Sequence, residues 1–187
     1  NAADDVSQVL LAVGPLHIGG SAGFALSLST VDADTDGNGT ADLIGATLMG
    51  LALDVQNATV TIDGVARLAV SGKLAVASLK PADPLTDTRS WFALKLGEVS
   101  VDVTLDPSLD IGLDANLTID GFEYNSATNT TTPAAAKRIS WARAFDLDGD
   151  GQFDDALNPG ALLPVASDLT IDFASSLQLR LTGTLTG

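Results

Sequence analysis

The sequence contains no cysteine, one histidine, two glutamates and only 5% aromatic residues. Without cysteine there are neither disulfides nor thiolate metal sites, so covalent staples and zinc-type centres are excluded. The single histidine, His17, would have to serve any Ser-His-Asp triad, and no serine lies in a nucleophile elbow. Only nine bases oppose 24 acids, giving a formal charge of −15. That balance argues against nucleic acid or an anionic membrane surface as partner and favours cations. No apolar run is long enough to insert into a bilayer. Sugar-cleaving sites commonly offer aromatic platforms, yet Trp91 and Trp141 are the only tryptophans. Each follows a serine in a strand-like stretch and reads as a core residue. No catalytic constellation stands out, and the chain reads as a non-enzyme.

What is present is a chain of 187 residues, 45% hydrophobic, with a mean hydropathy of +0.27. This suffices for one folded unit with a core, so residues 1–187 are read as a single β-rich module. The chain begins at Asn1 without a methionine, which suggests processing or excision from something longer.

The dominant period is two. Phe24, Leu26 and Leu28 alternate with Ala25, Ser27 and Ser29, and Leu51, Leu53 and Val55 with Ala52, Asp54 and Gln56. The same alternation runs through Phe92 to Leu96, Val99 to Leu105, Leu109 to Leu113 and Leu177 to Leu181. These are half-buried strands. Asp63-Gly64, Ser71-Gly72, Asp106-Pro107 and Asn158-Pro159-Gly160 supply turn formers between them. Helical signal is confined to Val6–Val13, which also suits an edge strand, and to Pro133–Arg143. The predicted class is all-β: an antiparallel β-sandwich or an elongated meander, with at most one or two short helices. Thr61-Ile62-Asp63, Thr118-Ile119-Asp120 and Thr170-Ile171-Asp172 form a weak internal repeat, and Ser126–Ala136 reads as an exposed loop.

The strongest local pattern places Asp146, Asp148, Asp150 and Asp154 at positions one, three, five and nine of a loop, with Gly149 and Gly151 at four and six. A second loop has Asp34, Asp36, Asn38 and Asp42 at the same spacing, with Gly37 and Gly39 between them. Calcium takes about 6–8 oxygens at ~2.3–2.6 Å, which requires short carboxylates to converge from one tight turn. Glycine relieves the backbone strain of such a turn. Glutamates are confined to Glu98 and Glu123, a bias towards the acid that suits turns and tight oxygen cages. A twelve-residue EF-hand starting at Asp32 or Asp146 would need an acid where Leu43 or Leu157 stands, so the nine-residue register is preferred. Asp32 and Asp155 flank the cages and suit extra ligands or solvating acids, the second reading being preferred for both.

These loops resemble the D-x-D-G-D-G-x-x-D calcium loops of integrin-type β-propellers and of large secreted bacterial proteins. The resemblance implies two Ca2+ sites. Their ligands would be Asp34, Asp36, Asn38, the Thr40 carbonyl and Asp42, then Asp146, Asp148, Asp150, the Gln152 carbonyl and Asp154. Alternating, Asp-rich β-sequence of this style is similar to the giant repetitive surface proteins and adhesins of Gram-negative bacteria. It implies an extracellular or cell-surface structural module of a filament or surface protein. Its partners would be copies of itself or neighbouring repeats.

The segment Ser175–Gly187 is strand-like to its last residue, which suits assembly by edge-strand pairing. The alternative is a calcium-dependent carbohydrate- or cell-binding adhesin module, which would expose Trp91 or Trp141 beside an acidic groove. Asn38, Asn57, Asn116 and Asn129 each begin an Asn-x-Thr triplet, with Asn129 the best placed to carry a glycan.

Overall fold

The computed structural model describes residues 9–13, 16–62, 66–105, 116–130 and 137–186. Most of the alternating sequence among the described residues is strand: β1 (Val9–Val13), β2 (Leu16–Ala33), β3 (Leu43–Ile62), β4 (Ala66–Lys80), β5 (Arg89–Leu105), β6 (Asn116–Asn129) and β7 (Leu179–Thr186). They form one antiparallel sheet in chain order, β1 to β7, so the meander is the architecture observed. Helix is limited, among the described residues, to one 3₁₀ turn at Pro159–Leu162, where Asn158-Pro159-Gly160 had signalled a turn.

Several local expectations resolve differently. Val9–Val13 is the edge strand, and Ile139 to Arg143 is irregular with no helix. Ser71-Gly72 lies inside β4 at a register shift, so it makes a bulge where a turn was expected. Ser126 to Asn129 complete β6, while residues 131–136, like 63–65 and 106–115, lie outside the described residues. The Thr-Ile-Asp copies are not structurally equivalent. Thr61 and Ile62 end β3, Thr118 to Asp120 lie within β6, and Ile171 is buried outside the sheet, bridged to Leu157.

Register shifts occur at Gly19/Ser21, Val55/Ala58, Ser71/Lys73 and Ile119/Gly121, which the strand pairing places on one transverse line. Each extra residue interrupts the ladder and adds local twist. The line separates the half of the sheet next to the 34–42 hairpin loop from the half beyond.

The alternation gives the sheet two unlike faces. One carries mainly small residues: Ala46, Ala52, Ala75, Ala77 and Ala93 are fully buried, with Gly50 among them, while Leu48, Leu79 and Trp91 form one bulkier row towards the loop end. Onto it packs the non-repetitive segment 137–178, which supplies the bulk through Ile139, Trp141, Phe145, Leu169, Ile171 and Phe173. Small residues on the sheet and large ones on the cover let the two backbones approach closely and fill the space between them. The other face carries the large alternating residues. Rows run across it by strand pairing, first Phe24, Leu53, Leu74, Leu96, Phe122 and Leu181, then Leu26, Leu51, Val76, Leu94, Tyr124 and Leu179. Their ends lie open, with Phe24 at 69% and Leu181 at 60% exposure.

A buried polar node fixes the cover in place. Asn125 of β6 is fully buried; its Nδ2 donates to the carbonyls of Ile139 (3.1 Å) and Ala174 (3.3 Å), and its Oδ1 accepts from Trp141 Nε1 (3.1 Å). Trp91 is nearly as buried and donates from Nε1 to the Lys137 carbonyl at 3.0 Å. At the 3₁₀ turn the fit is tight: a Cβ on Gly160 would lie 2.4 Å from the Ser167 carbonyl oxygen and 3.0 Å from Leu169 Cβ. Gly160→Ala is therefore expected to destabilise the protein by about 1–3 kcal/mol, read from the denaturation midpoint, because backbone must move to admit the methyl.

Candidate metal centre

Each acidic loop is organised by its first aspartate. In the first loop, which connects β2 to β3, Asp34 is 3% exposed and accepts from the N–H groups of Gly37 (2.7 Å), Asn38 (3.3 Å) and Gly39 (2.6 Å). In the second, Asp146 accepts from Gly149 (2.8 Å) and Gly151 (3.0 Å). Gly37, Gly39, Gly149 and Gly151 all have φ between 81° and 87°, the left-handed region that disfavours a side chain. The third and fifth positions make matching turns. The N–H of Asn38 donates to Asp36 and that of Thr40 to Asn38, as Asp150 does to Asp148 and Gln152 to Asp150. The same local sequence thus builds the same loop twice.

The loops differ in how they close. Asp42 accepts from the Thr35 N–H at 2.6 Å in the first; in the second it is Asp155, not Asp154, that accepts from the Leu147 N–H at 2.6 Å. The N–H of Asp42 donates to the Ala33 carbonyl, and that of Asp155 to the Phe145 carbonyl. The second loop is therefore one residue longer, and Asp155 occupies the place that Asp42 holds in the first.

Carboxylate oxygens of Asp34, Asp36 and Asp42 lie within 4.8 Å of one another, as do those of Asp146, Asp148 and Asp155. Both clusters could hold a metal ion. Like charges about 4 Å apart repel by about 4 kcal/mol per pair at an effective dielectric near 20, a cost that a cation removes. Asp154 is exposed and stands outside the second cluster. Asp150 also stands outside it, its carboxylate turned to the Gln152 N–H and side-chain amide. The Asn38 side chain is engaged likewise, its Nδ2 donating to Asp36 and its Oδ1 accepting from Thr40. Asp32, read as solvating, instead ties the hairpin base by accepting from the Gly45 N–H at 2.8 Å.

Although 112 positions apart along the chain, the two loops are neighbours. Ala33 bridges to Phe145, Phe145 bridges to Asp155, and the Asp34 N–H donates to the Ala144 carbonyl at 3.0 Å. A cleft of about 410 Å³ between them is lined by Asp34 and Gly39 from one and Gly151 and Asp154 from the other. The first loop joins two strands of the sheet, whereas the second belongs to the cover, so the bridge fastens cover to sheet.

Arg89 borders the first cluster and partly neutralises it. It carries its guanidinium over the Trp91 ring at 5.2 Å, pairs with Asp87 at 2.7 Å and reaches Asp42 at 3.4 Å. Partial burial works against the Asp42 charge, but hydrogen bonds from the Thr35 hydroxyl and N–H and from Arg89 outweigh it and hold the carboxyl below its ordinary range. Asp87 is lowered chiefly by its hydrogen bond from Arg89. Nothing in the sequence links Arg89 to Asp42; the β4–β5 turn brings them together. Comparison of the chain with protein-family models, with curated proteins and with solved structures finds no match. The chemistry open to this site is coordination of a hard cation by oxygen. His17 lies on β2 opposite Thr61, beyond the bulge line from the loops.

Proposed function

We propose that this chain is a calcium-stabilised structural module of an extracellular filament or large surface protein, joined to its neighbours by edge-strand pairing. The observation that carries the reading is the side-by-side placement of two acidic loops, one in the sheet and one in the cover. An ion in each cluster would replace carboxylate repulsion with attraction at the seam where the two layers meet. Two such ions act as fasteners of a fold. With calcium at ~10 times the dissociation constant, each site would add about 1.4 kcal/mol, appreciable against a typical total of ~5–15 kcal/mol.

Two further observations support this reading over the glycan-binding alternative. Trp91 and Trp141 are both buried, so neither offers a platform for a sugar ring. β7 and β1 end the strand order, and a terminal strand with a free edge suits pairing with another chain. The edge-pairing part is tested by electron microscopy of native material, where filaments are expected and dispersed particles would refute it.

The calcium part is tested by titration calorimetry with thermal unfolding. Two bound ions and a melting temperature that rises with calcium and falls on chelation are expected. No heat of binding at millimolar calcium would remove the basis of the proposal. Replacing Asp36 and Asp148 together by alanine should abolish the calcium-dependent rise while leaving the metal-free melting temperature nearly unchanged, since both side chains are exposed.

A further inference from the structure

The large-residue face of the sheet has no cover among the described residues, although it is where the sequence concentrates its apolar bulk. Its outer members are 56–69% exposed on β2 (Phe24, Leu26, Leu28) and 58–60% exposed on β7 (Leu179, Leu181). Across the rows between them no charged side chain occurs, and a row containing Thr30, Thr47 and Lys80 forms a polar border next to the first acidic loop. A contiguous apolar face of this kind marks a contact surface, because leaving it in water forgoes the gain of burying it.

From this geometry we infer that the face packs against the same face of a second copy, closing a two-layered sandwich about a two-fold axis. Two rows of six strands and a third of five (Leu28, Met49, Ser78, Phe92 and Ser126), at ~4.8 Å between strands and ~6.6 Å between rows, make a footprint of roughly 540 Å² per copy. Pairing two copies would thus withdraw about 1,100 Å² in total, above the roughly 1,000 Å² that a specific interface needs. Two sheets of the same twist pack face to face about 10 Å apart with their strands near −30°, so this sheet can cover itself without remodelling. A two-fold contact uses one patch on both partners. The acidic loops lie at the hairpin end and in the cover on the opposite face, which keeps the carboxylate clusters off the interface. The chain's charge of −15 opposes an anionic bilayer as the occupant. This contact uses the face of the sheet and is separate from edge pairing, so it stands or falls apart from the filament proposal.

Sedimentation velocity of the whole chain in calcium-containing buffer across the micromolar range tests it. The wild type is expected to sediment as a dimer. Leu26→Lys with Leu181→Lys, both at exposed positions, should weaken dimerisation by roughly a hundredfold or more with unchanged circular dichroism. Because the chain lacks cysteine, Val76→Cys near the centre of the face provides a second readout. A short bis-maleimide should join two copies through it, and should not do so through Thr86→Cys in the β4–β5 turn. A wild type that stays monomeric with its fold intact would overturn the inference. So would a dimer that survives both lysines without cross-linking at Val76→Cys, or a monomer that instead binds neutral lipid vesicles. If the lysine variant misfolds, the cross-linking result decides alone.

Discussion

Trp141→Ala is expected to lower the stability of the protein by about 3–5 kcal/mol, enough to release the cover from the sheet in a fold of ordinary stability. Trp141 is fully buried, packs against Phe145 with ring centroids 5.8 Å apart, and supplies the donor for Asn125 Oδ1. The alanine variant loses the apolar burial, opens a cavity beneath the segment and leaves a buried amide oxygen without its donor. Trp141→Phe keeps most of the volume and removes the N–H with only part of the ring, so a smaller loss of about 1–3 kcal/mol is expected. Asn125→Ala leaves the Trp141 N–H and the Ile139 carbonyl without their partner in the interior, while the Ala174 carbonyl keeps the Leu177 N–H, and it should cost at least as much as Trp141→Phe. Denaturant unfolding followed by far-UV circular dichroism measures all three. If Trp141 and Asn125 act as one node, their losses combine to less than their sum in a double-mutant cycle. Full additivity would show that Asn125 is held by its two carbonyl partners alone.

The second large effect is expected at Asp34. This carboxylate is buried, so its three backbone hydrogen bonds are charge-assisted and shielded from water, and substitution removes the organiser of the first loop. Asp34→Ala is expected to cost about 2–4 kcal/mol without added metal, since the Gly37 and Gly39 N–H groups lose their acceptor and that of Asn38 keeps only Asp36. Asp146→Ala breaks the corresponding contacts at a half-buried position, where water more readily substitutes for the lost acceptor, and should cost clearly less. Thermal unfolding in the presence of a chelator compares the pair. Equal losses at the two positions would contradict the importance assigned here to burial of Asp34. In calcium each variant should lose a further, similar amount, because each then also lacks one proposed ion site, so the gap between them persists.

Much of this molecule is legible from local rules. Period-two alternation locates strands β2, β3 and β5, because side chains on a strand alternate between faces whatever packs on them. The Asp-Gly spacing locates both loops, and hydrogen bonds spanning only two to eight residues build them. Asp155 escaped that reading: adjacent acids at 154 and 155 are equivalent by spacing, and only the bridge from Phe145 selects the second. Arg89 escaped it as well, being 47 residues from Asp42 and placed by a turn of the sheet.

The sequence by itself determined that the chain is all-β, that its strands are antiparallel, and that two nearly identical acidic loops interrupt it. Only the tertiary structure decided which side of the sheet is buried and that the two loops meet. Alternation defines two faces but carries no information about which one receives a cover. Here the cover is an aperiodic segment whose own side chains are large, so it seats on the alanine and glycine face, where volumes are complementary. The leucine- and phenylalanine-rich face, which hydrophobicity alone would have placed inside, is left without a cover among the described residues.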